Sequence, residues 1–110
     1  MTIASPYFRA ANIVLLVYDV TERESFEYAT EKFLNQVKKY SRSDTIVFLV
    51  GNKIDLESVR EVSYDEGQTF VNQNGLASYI EVSSKTGQNV EKLFTQAVNH
   101  CMQRATSNEP

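Results

Sequence analysis

The sequence is poor in residues that form covalent links or unusual backbone turns. Its 110 residues include one cysteine, two prolines, four glycines and no tryptophan. The single cysteine, Cys101, cannot form an internal disulfide, which fits a reducing compartment. No apolar run approaches the length that spans a membrane, and no basic stretch followed by an apolar one stands at the start, as in a secretory signal. The expected location is cytoplasmic.

A basic surface is also lacking. Lysine and arginine number 11 against 14 aspartate and glutamate residues, so the formal net charge is −3. A nucleic-acid-binding face would need a basic stripe, and we therefore expect no nucleic-acid partner. The length allows one small hydrophobic core.

Glycine is too sparse to build a loop that wraps phosphates. Such a loop needs the pattern G-x-x-x-x-G-K-[ST], in which the backbone cradles the phosphates and the final hydroxyl binds Mg²⁺. The pattern does not occur in the sequence, which places its glycines at only four positions: Gly51, Gly67, Gly75 and Gly87.

Two predicted strands, the first of them an apolar run, lead directly into polar loops. Residues 45–50 are followed by the sequence GNKID, and residues 78–82 are followed by SSKTG. Apolar runs of this length are typical of buried parallel strands. The carboxyl ends of neighbouring parallel strands meet at one edge of the sheet, where open α/β sheets bind ligands. We therefore expect the two loops to lie side by side.

The residues of these loops suit a guanine base. The carboxylate of Asp55 can accept both donors of one guanine edge as a charge-assisted pair. Asn52 can offer its amide to the O6 and N7 acceptors or tie the loops together. The stem of Lys53 can cover one face of the base, and backbone N–H groups of the Ser84-Lys85 turn can donate to O6. Adenine lacks the donor at N1 and carries an amine in place of O6, so the same residues would not bind it. The alternative interpretation is a polar loop that only caps a strand end.

Further segments of the sequence support a resemblance to a known protein family. They are PYFRAA at residues 6–11, LVYDVT at 16–21 with ESF at 24–26, and REVS at 60–63. Together with GNKIDL at 51–56 and SSKT at 83–86, they resemble the C-terminal half of a Ras-superfamily small GTPase, most closely of the Rab family. The resemblance covers about residues 2–104. The middle residue of SSKT is usually alanine in the family, a mild departure because the backbone N–H acts there.

The resemblance implies a partial G domain of the P-loop NTPase type, with GTP or GDP as ligand. Asn52 and Asp55 would read guanine, Lys53 and Lys85 would lie on its two faces, and Ser84 would donate its N–H to O6. Ser83 belongs to the same motif. The family's Mg²⁺ ligands and its catalytic glutamine would lie before this sequence, so we expect no metal site, no catalytic residue and no GTP hydrolysis by these residues alone.

The order of elements predicts an α/β fold with three parallel strands and three helices in three layers, α/β/α. Expected strands are residues 13–20, 45–50 and 78–82. Capping-box patterns at Thr21 to Glu24 and Ser63 to Glu66 mark two helix starts. We expect the domain to span residues 1–104 and a loose tail to span 105–110. Asp19 is expected to serve the strand-to-helix turn and not a metal.

Two functional hypotheses remain open. One is a Rab-like fragment that keeps its guanine-reading motifs, whose full-length relatives would be GTP-dependent switches in vesicle traffic. The other is a non-enzymatic interaction module that binds a partner or itself through the unpaired strand at residues 13–20. The final residues TSNEP contain no cysteine for a lipid anchor. Whether Met1 is the true start, and which organelle and effectors apply, the sequence leaves open.

Overall fold

Three parallel strands form the centre of the molecule. The computed structural model describes residues 13–41 and 43–107, with side chains to residue 103. The strands lie in chain order within one sheet, as the sequence predicted. Their bounds are Ile13–Asp19 (β1), Ile46–Asn52 (β2) and Ser78–Glu81 (β3).

The first crossover is one continuous helical rod in three parts. The α-helices Arg23–Glu27 (α1) and Leu34–Tyr40 (α2) are joined by the π-helical stretch Tyr28–Phe33, in which the Thr30 hydroxyl donates to the Phe26 carbonyl at 2.8 Å. A side chain bonded to the helix backbone in this way locally widens or bends a helix. This subdivision was not predicted.

Two further helices follow, as predicted. Tyr64–Asn74 (α3) precedes β3, and Val90–Ser107 (α4) ends the described chain. A short 3₁₀ helix, Ile54–Val59, lies directly after β2 and was not predicted. The end of α4 falls within residues 105–110, for which the sequence predicted a loose tail. Residues 6–11 and 108–110 lie outside the described part.

Capping-box patterns predicted one helix start correctly and the other incorrectly. Ser63 accepts a hydrogen bond from the N–H of Glu66, whose carboxylate accepts from the Ser63 N–H, so this capping box is confirmed. The capping box predicted at Thr21 is wrong. Helix α1 begins at Arg23 without a side-chain cap, because Thr21 donates instead to the carboxylate of Asp19.

Hydrophobic residues fill both faces of the sheet, which gives the predicted three layers. One cluster packs all three strands against the first crossover and α3; its buried members are Val14, Leu16, Tyr18, Val20, Ala29, Leu34, Val37, Leu49, Val62, Val71 and Tyr79. The other cluster joins β2 and β3 to α4; its buried members are Ile46, Phe48, Val50, Ile80, Val82, Leu93 and Ala97.

Within residues 13–41 and 43–107, no helix is both long and apolar enough to cross a membrane.

Candidate functional site: the carboxyl edge of the sheet

The loops after β2 and β3 are joined by the side chain of Asn52. Its amide nitrogen donates to the hydroxyl of Ser84 at 3.1 Å. Its oxygen accepts from the backbone N–H groups of Ser84, at 3.0 Å, and Lys53, at 2.8 Å. Asn52 therefore ties the two predicted loops together, the second of the two roles that the sequence suggested for it.

Asp55 lies at the same edge and is held by one of its two carboxylate oxygens. Its Oδ1 accepts from the hydroxyl of Ser83 at 2.7 Å. Ser83 is fully buried, and its oxygen also accepts from the Thr86 N–H at 3.1 Å. The carboxyl group of Asp55 is exposed, and its Oδ2 makes no hydrogen bond within residues 13–41 and 43–107. One oriented oxygen is thus free to accept donors from a ligand.

Lys53 spans from the end of β2 to the end of β1. Its backbone lies in the left-handed region, at φ 70°, which is uncommon for a lysine. Its ammonium pairs with Oδ2 of Asp19 at 2.8 Å. The hydrogen bond that the ammonium donates to Asp19 raises the pKa of Lys53. Burial would raise the pKa of Asp19, but hydrogen bonds from Lys53 and Thr21 outweigh it and lower that pKa.

The turn role predicted for Asp19 is confirmed. Its Oδ1 accepts from the N–H of Thr21 at 2.8 Å and from the hydroxyl of Thr21 at 2.6 Å. The pairing with Lys53 was missed. The register β1–β2, which sets Asp19 opposite Asn52, is what brings the two side chains together, and no local sequence pattern reports it.

The backbone N–H that the Ser84-Lys85 turn leaves without a partner is not the one that the resemblance implied. The N–H of Ser84 donates to Asn52, whereas the resemblance assigned it to guanine O6. Within the described chain, the N–H of the next residue, Lys85, has no hydrogen-bond partner. The Lys85 side chain is exposed and forms no ion pair with any described residue. The turn thus offers a backbone donor one position later than expected.

A buried network of polar side chains lies beneath the two loops. Arg60 binds both carboxylate oxygens of Glu81, at 2.8 and 2.9 Å. Glu81 also accepts from the hydroxyl of Tyr79 at 2.6 Å, and the hydroxyls of Tyr79 and Tyr18 lie 2.5 Å apart. Burial raises the pKa of Tyr18 to about 12, and burial with the bond to Glu81 raises the pKa of Tyr79 well above its usual range. The hydrogen bond to Glu81 likewise raises the pKa of Arg60.

Among the residues that the structure describes, no three or more histidine, cysteine, aspartate or glutamate side chains converge as a metal site.

The arrangement defines part of a parallel α/β domain whose carboxyl edge carries two joined polar loops. Its sequence matches the family model described as the Ras family over residues 1–103, so the chain belongs to the Ras family, and it is of the Rab type. It is 44% identical to the Ras-related protein Rab-1 of Theileria parva over 99% of the chain and 50% of that protein. It is 43% identical to the Ras-related protein Rab-1 of Theileria annulata over the same shares. The chain therefore spans about half the length of the curated relatives it matches.

Proposed function

We propose that this chain is the guanine-reading part of a Rab-type GTP-binding protein. The observation that carries the proposal is the carboxylate of Asp55, which Ser83 holds by one oxygen while the other is free. A guanine edge presents two adjacent donors, and an ionised carboxylate is their strongest acceptor in a protein.

The remaining residues of the edge suit the other parts of the base. The N–H of Lys85 has no partner among the described residues, and in the proposed complex it donates to the O6 acceptor. The stems of Lys53 and Lys85 are exposed and can cover the two faces of a flat ring. Asn52 contributes indirectly, since it fixes the distance between the two loops.

We propose that these 110 residues bind guanine weakly and do not hydrolyse GTP by themselves. Phosphoryl transfer depends on a phosphate-binding loop and a Mg²⁺ site, and the sequence contains no such loop. A full-length protein with the remaining half of its relatives would be a GTP-dependent switch in vesicle traffic, with GTP or GDP and Mg²⁺ as its ligands.

The affinity of the 110 residues follows from the contacts available. Two charge-assisted hydrogen bonds to Asp55 contribute about 1.5–3 kcal/mol each, and ordering the loops and the ligand offsets much of that. We expect a dissociation constant no tighter than about 0.1 mM. Guanosine, GDP and GTP should bind alike, with or without Mg²⁺.

Titration calorimetry with guanosine, adenosine, GDP and GTP tests the proposal. Guanosine should bind and adenosine should not, and Asp55→Ala should abolish guanosine binding. Asp65→Ala, an exposed carboxylate in α3, is the matched control and should bind as the original chain does. Micromolar GDP binding that strengthens with Mg²⁺, or saturable phosphate release from GTP that is lost in Asp55→Ala, would contradict the account.

A second candidate function is self-association, and an exposed apolar stripe on α4 favours it. Phe94, Val98 and Met102 follow one another at helical spacing and are 58%, 54% and 62% exposed. Val98 and Met102 line an apolar cleft of about 340 Å³ together with Ile13 of β1. No described strand pairs with the outer edge of β1.

We propose that a second copy of the chain covers this surface. A copy related by a two-fold axis presents the same apolar stripe and the same unpaired strand, so both are satisfied at once. Light scattering should show dimers or larger species that Val98→Lys reduces. Asn99→Lys adds the same charge at the neighbouring exposed position and should have no effect. A cooperatively unfolding monomer would exclude the second candidate.

A further inference from the structure

The ion pair between Lys53 and Asp19 connects the proposed base site to a strand that carries none of its motifs. Asp19 ends β1, whereas the motif residues follow β2 and β3. The ammonium of Lys53 lies 2.8 Å from Oδ2 of Asp19. Because β1 and β2 are adjacent, the stem of Lys53 crosses the carboxyl edge of the sheet and bounds the site on the β1 side.

Asp19 is the fixed member of the pair. Its side chain is 13% exposed, against 51% for that of Lys53. Oδ1 accepts two hydrogen bonds from Thr21, and its backbone N–H donates to the hydroxyl of Ser25 at 2.9 Å. The carboxylate therefore cannot follow Lys53, so Lys53 must come to it.

Lys53 is the flexible member of the pair. A lysine stem has four rotatable bonds, and its ordering opposes any contact that depends on its position. The contact of its ammonium with Asp19 selects one conformation of the stem. In that conformation the methylene groups already lie at the edge of the site before a ligand arrives.

We infer that Asp19 is a positioning residue for guanine recognition, which acts by holding the stem of Lys53 in place as one wall of the base site. The inference rests on the proposed guanine binding and adds to it a residue from outside both loop motifs. Asp19 does not contact the base. Its effect is to reduce the conformational freedom that Lys53 loses when a ring lies against its stem.

A double-mutant cycle with guanosine tests the inference. Asp19→Asn keeps an oxygen for the Thr21 bonds and removes the charge that binds the ammonium. Lys53→Met keeps an apolar stem of similar length and removes the ammonium. Each substitution should weaken guanosine binding about fivefold, as expected for losing a partly exposed ion pair and its ordering. The double variant should be no weaker than Lys53→Met alone, because Asp19 acts only through Lys53.

Salt dependence separates this role from a purely structural one. Guanosine carries no charge, so salt should affect its binding chiefly through the protein's own ion pair. Raising the salt concentration should weaken guanosine binding to the original chain and should not change guanosine binding to Asp19→Asn. The control, Asp65→Asn, removes the same charge from an exposed site on α3 and should behave as the original chain does.

The outcomes distinguish the two proposals. If the original chain does not bind guanosine, guanine recognition fails and the role of Asp19 fails with it. If the original chain binds guanosine and Asp19→Asn binds equally well, or if the two single effects multiply in the double variant, only the positioning role is overturned.

Discussion

Arg60 and Glu81 form a bidentate ion pair beneath the candidate site, with nitrogen–oxygen distances of 2.8 and 2.9 Å. Their side chains are only 15% and 9% exposed. Arg60 follows the 3₁₀ helix that contains Asp55, and Glu81 ends the strand that leads to Ser83. The pair therefore fixes the two loops relative to each other from inside the domain.

Removing one member of this pair should destabilise the fold strongly. Arg60→Leu leaves the carboxylate of Glu81 buried without its cation, which typically costs about 3–5 kcal/mol. Urea unfolding measures the loss. The double variant Arg60→Leu with Glu81→Gln should recover part of it, since the buried charge is gone. Glu57→Gln also removes a partner of Arg60, but its side chain is 70% exposed, so the change should stay below about 1 kcal/mol. Equal effects for Arg60→Leu and Glu57→Gln would refute this role.

Gly67 should tolerate no side chain. A Cβ at this position of α3 would overlap the ring of Tyr79, with the hydroxyl oxygen at 2.7 Å. Overpacking of this kind costs about 1–3 kcal/mol or more, and it would also displace Tyr79 from Glu81. Gly75→Ala is the comparison, because nothing lies near its Cβ and only its φ of 65° opposes alanine, at about 1 kcal/mol. Thermal unfolding should rank Gly67→Ala as the more damaging change, and the reverse order would show that Tyr79 moves freely.

The capping carboxylate of Glu66 should make the free energy of unfolding decrease at acidic pH. The hydrogen bond from Arg23, with the bond from Ser63, lowers the pKa of Glu66 from 4.5 to about 2. A lowered folded-state pKa gives stability that is complete above pH 4.5 and is lost as the pH falls towards 2. The side chain is 39% exposed, so solvent weakens the ion pair, and the capping bond sets the scale at about 1 kcal/mol. The difference in unfolding free energy between the original chain and Glu66→Gln should shrink across this range. A constant difference would contradict the assignment.

Tyr18 should ionise late in an alkaline titration. Burial raises its pKa from 10.0 to about 12, so the neutral form is favoured in the folded state. The resulting stability is complete below pH 10 and is lost as the pH rises towards 12. Tyrosinate absorbance should show a late-ionising group that coincides with unfolding and is reduced in Tyr18→Phe. Full tyrosinate absorbance from the folded chain near pH 10 would exclude the buried network.

Elements with a local signal were predictable from the sequence. β1 and β2 are mainly apolar runs, and the pair Ser63 and Glu66 marks the start of α3. The start of α1 was mispredicted, because the N–H and hydroxyl of Thr21 donate to the carboxylate of Asp19. The hydroxyl of Ser25 likewise lies within hydrogen-bond distance of the carbonyls of Asp19 and Glu22. A local pattern does not show which of two nearby partners a hydroxyl will choose.

The candidate site shows the same division. Its loops were located from their residue types, but the atoms that bind across strands were not. The contacts of Asn52 with Ser84, of Lys53 with Asp19 and of Arg60 with Glu81 join residues that are far apart in the chain. They depend on strand register, which the sequence specifies only through the packing of the whole sheet.

Reversal of base preference by Asp55→Asn is the most direct test of the account. Xanthine carries an acceptor where guanine carries its exocyclic amine, so a carboxylate favours guanosine and an amide, with one donor and one acceptor, favours xanthosine. Calorimetric titration of both nucleosides should show the original chain preferring guanosine by about tenfold or more, and Asp55→Asn preferring xanthosine. Binding of either nucleoside that does not change between the two proteins would mean that Asp55 does not read the base.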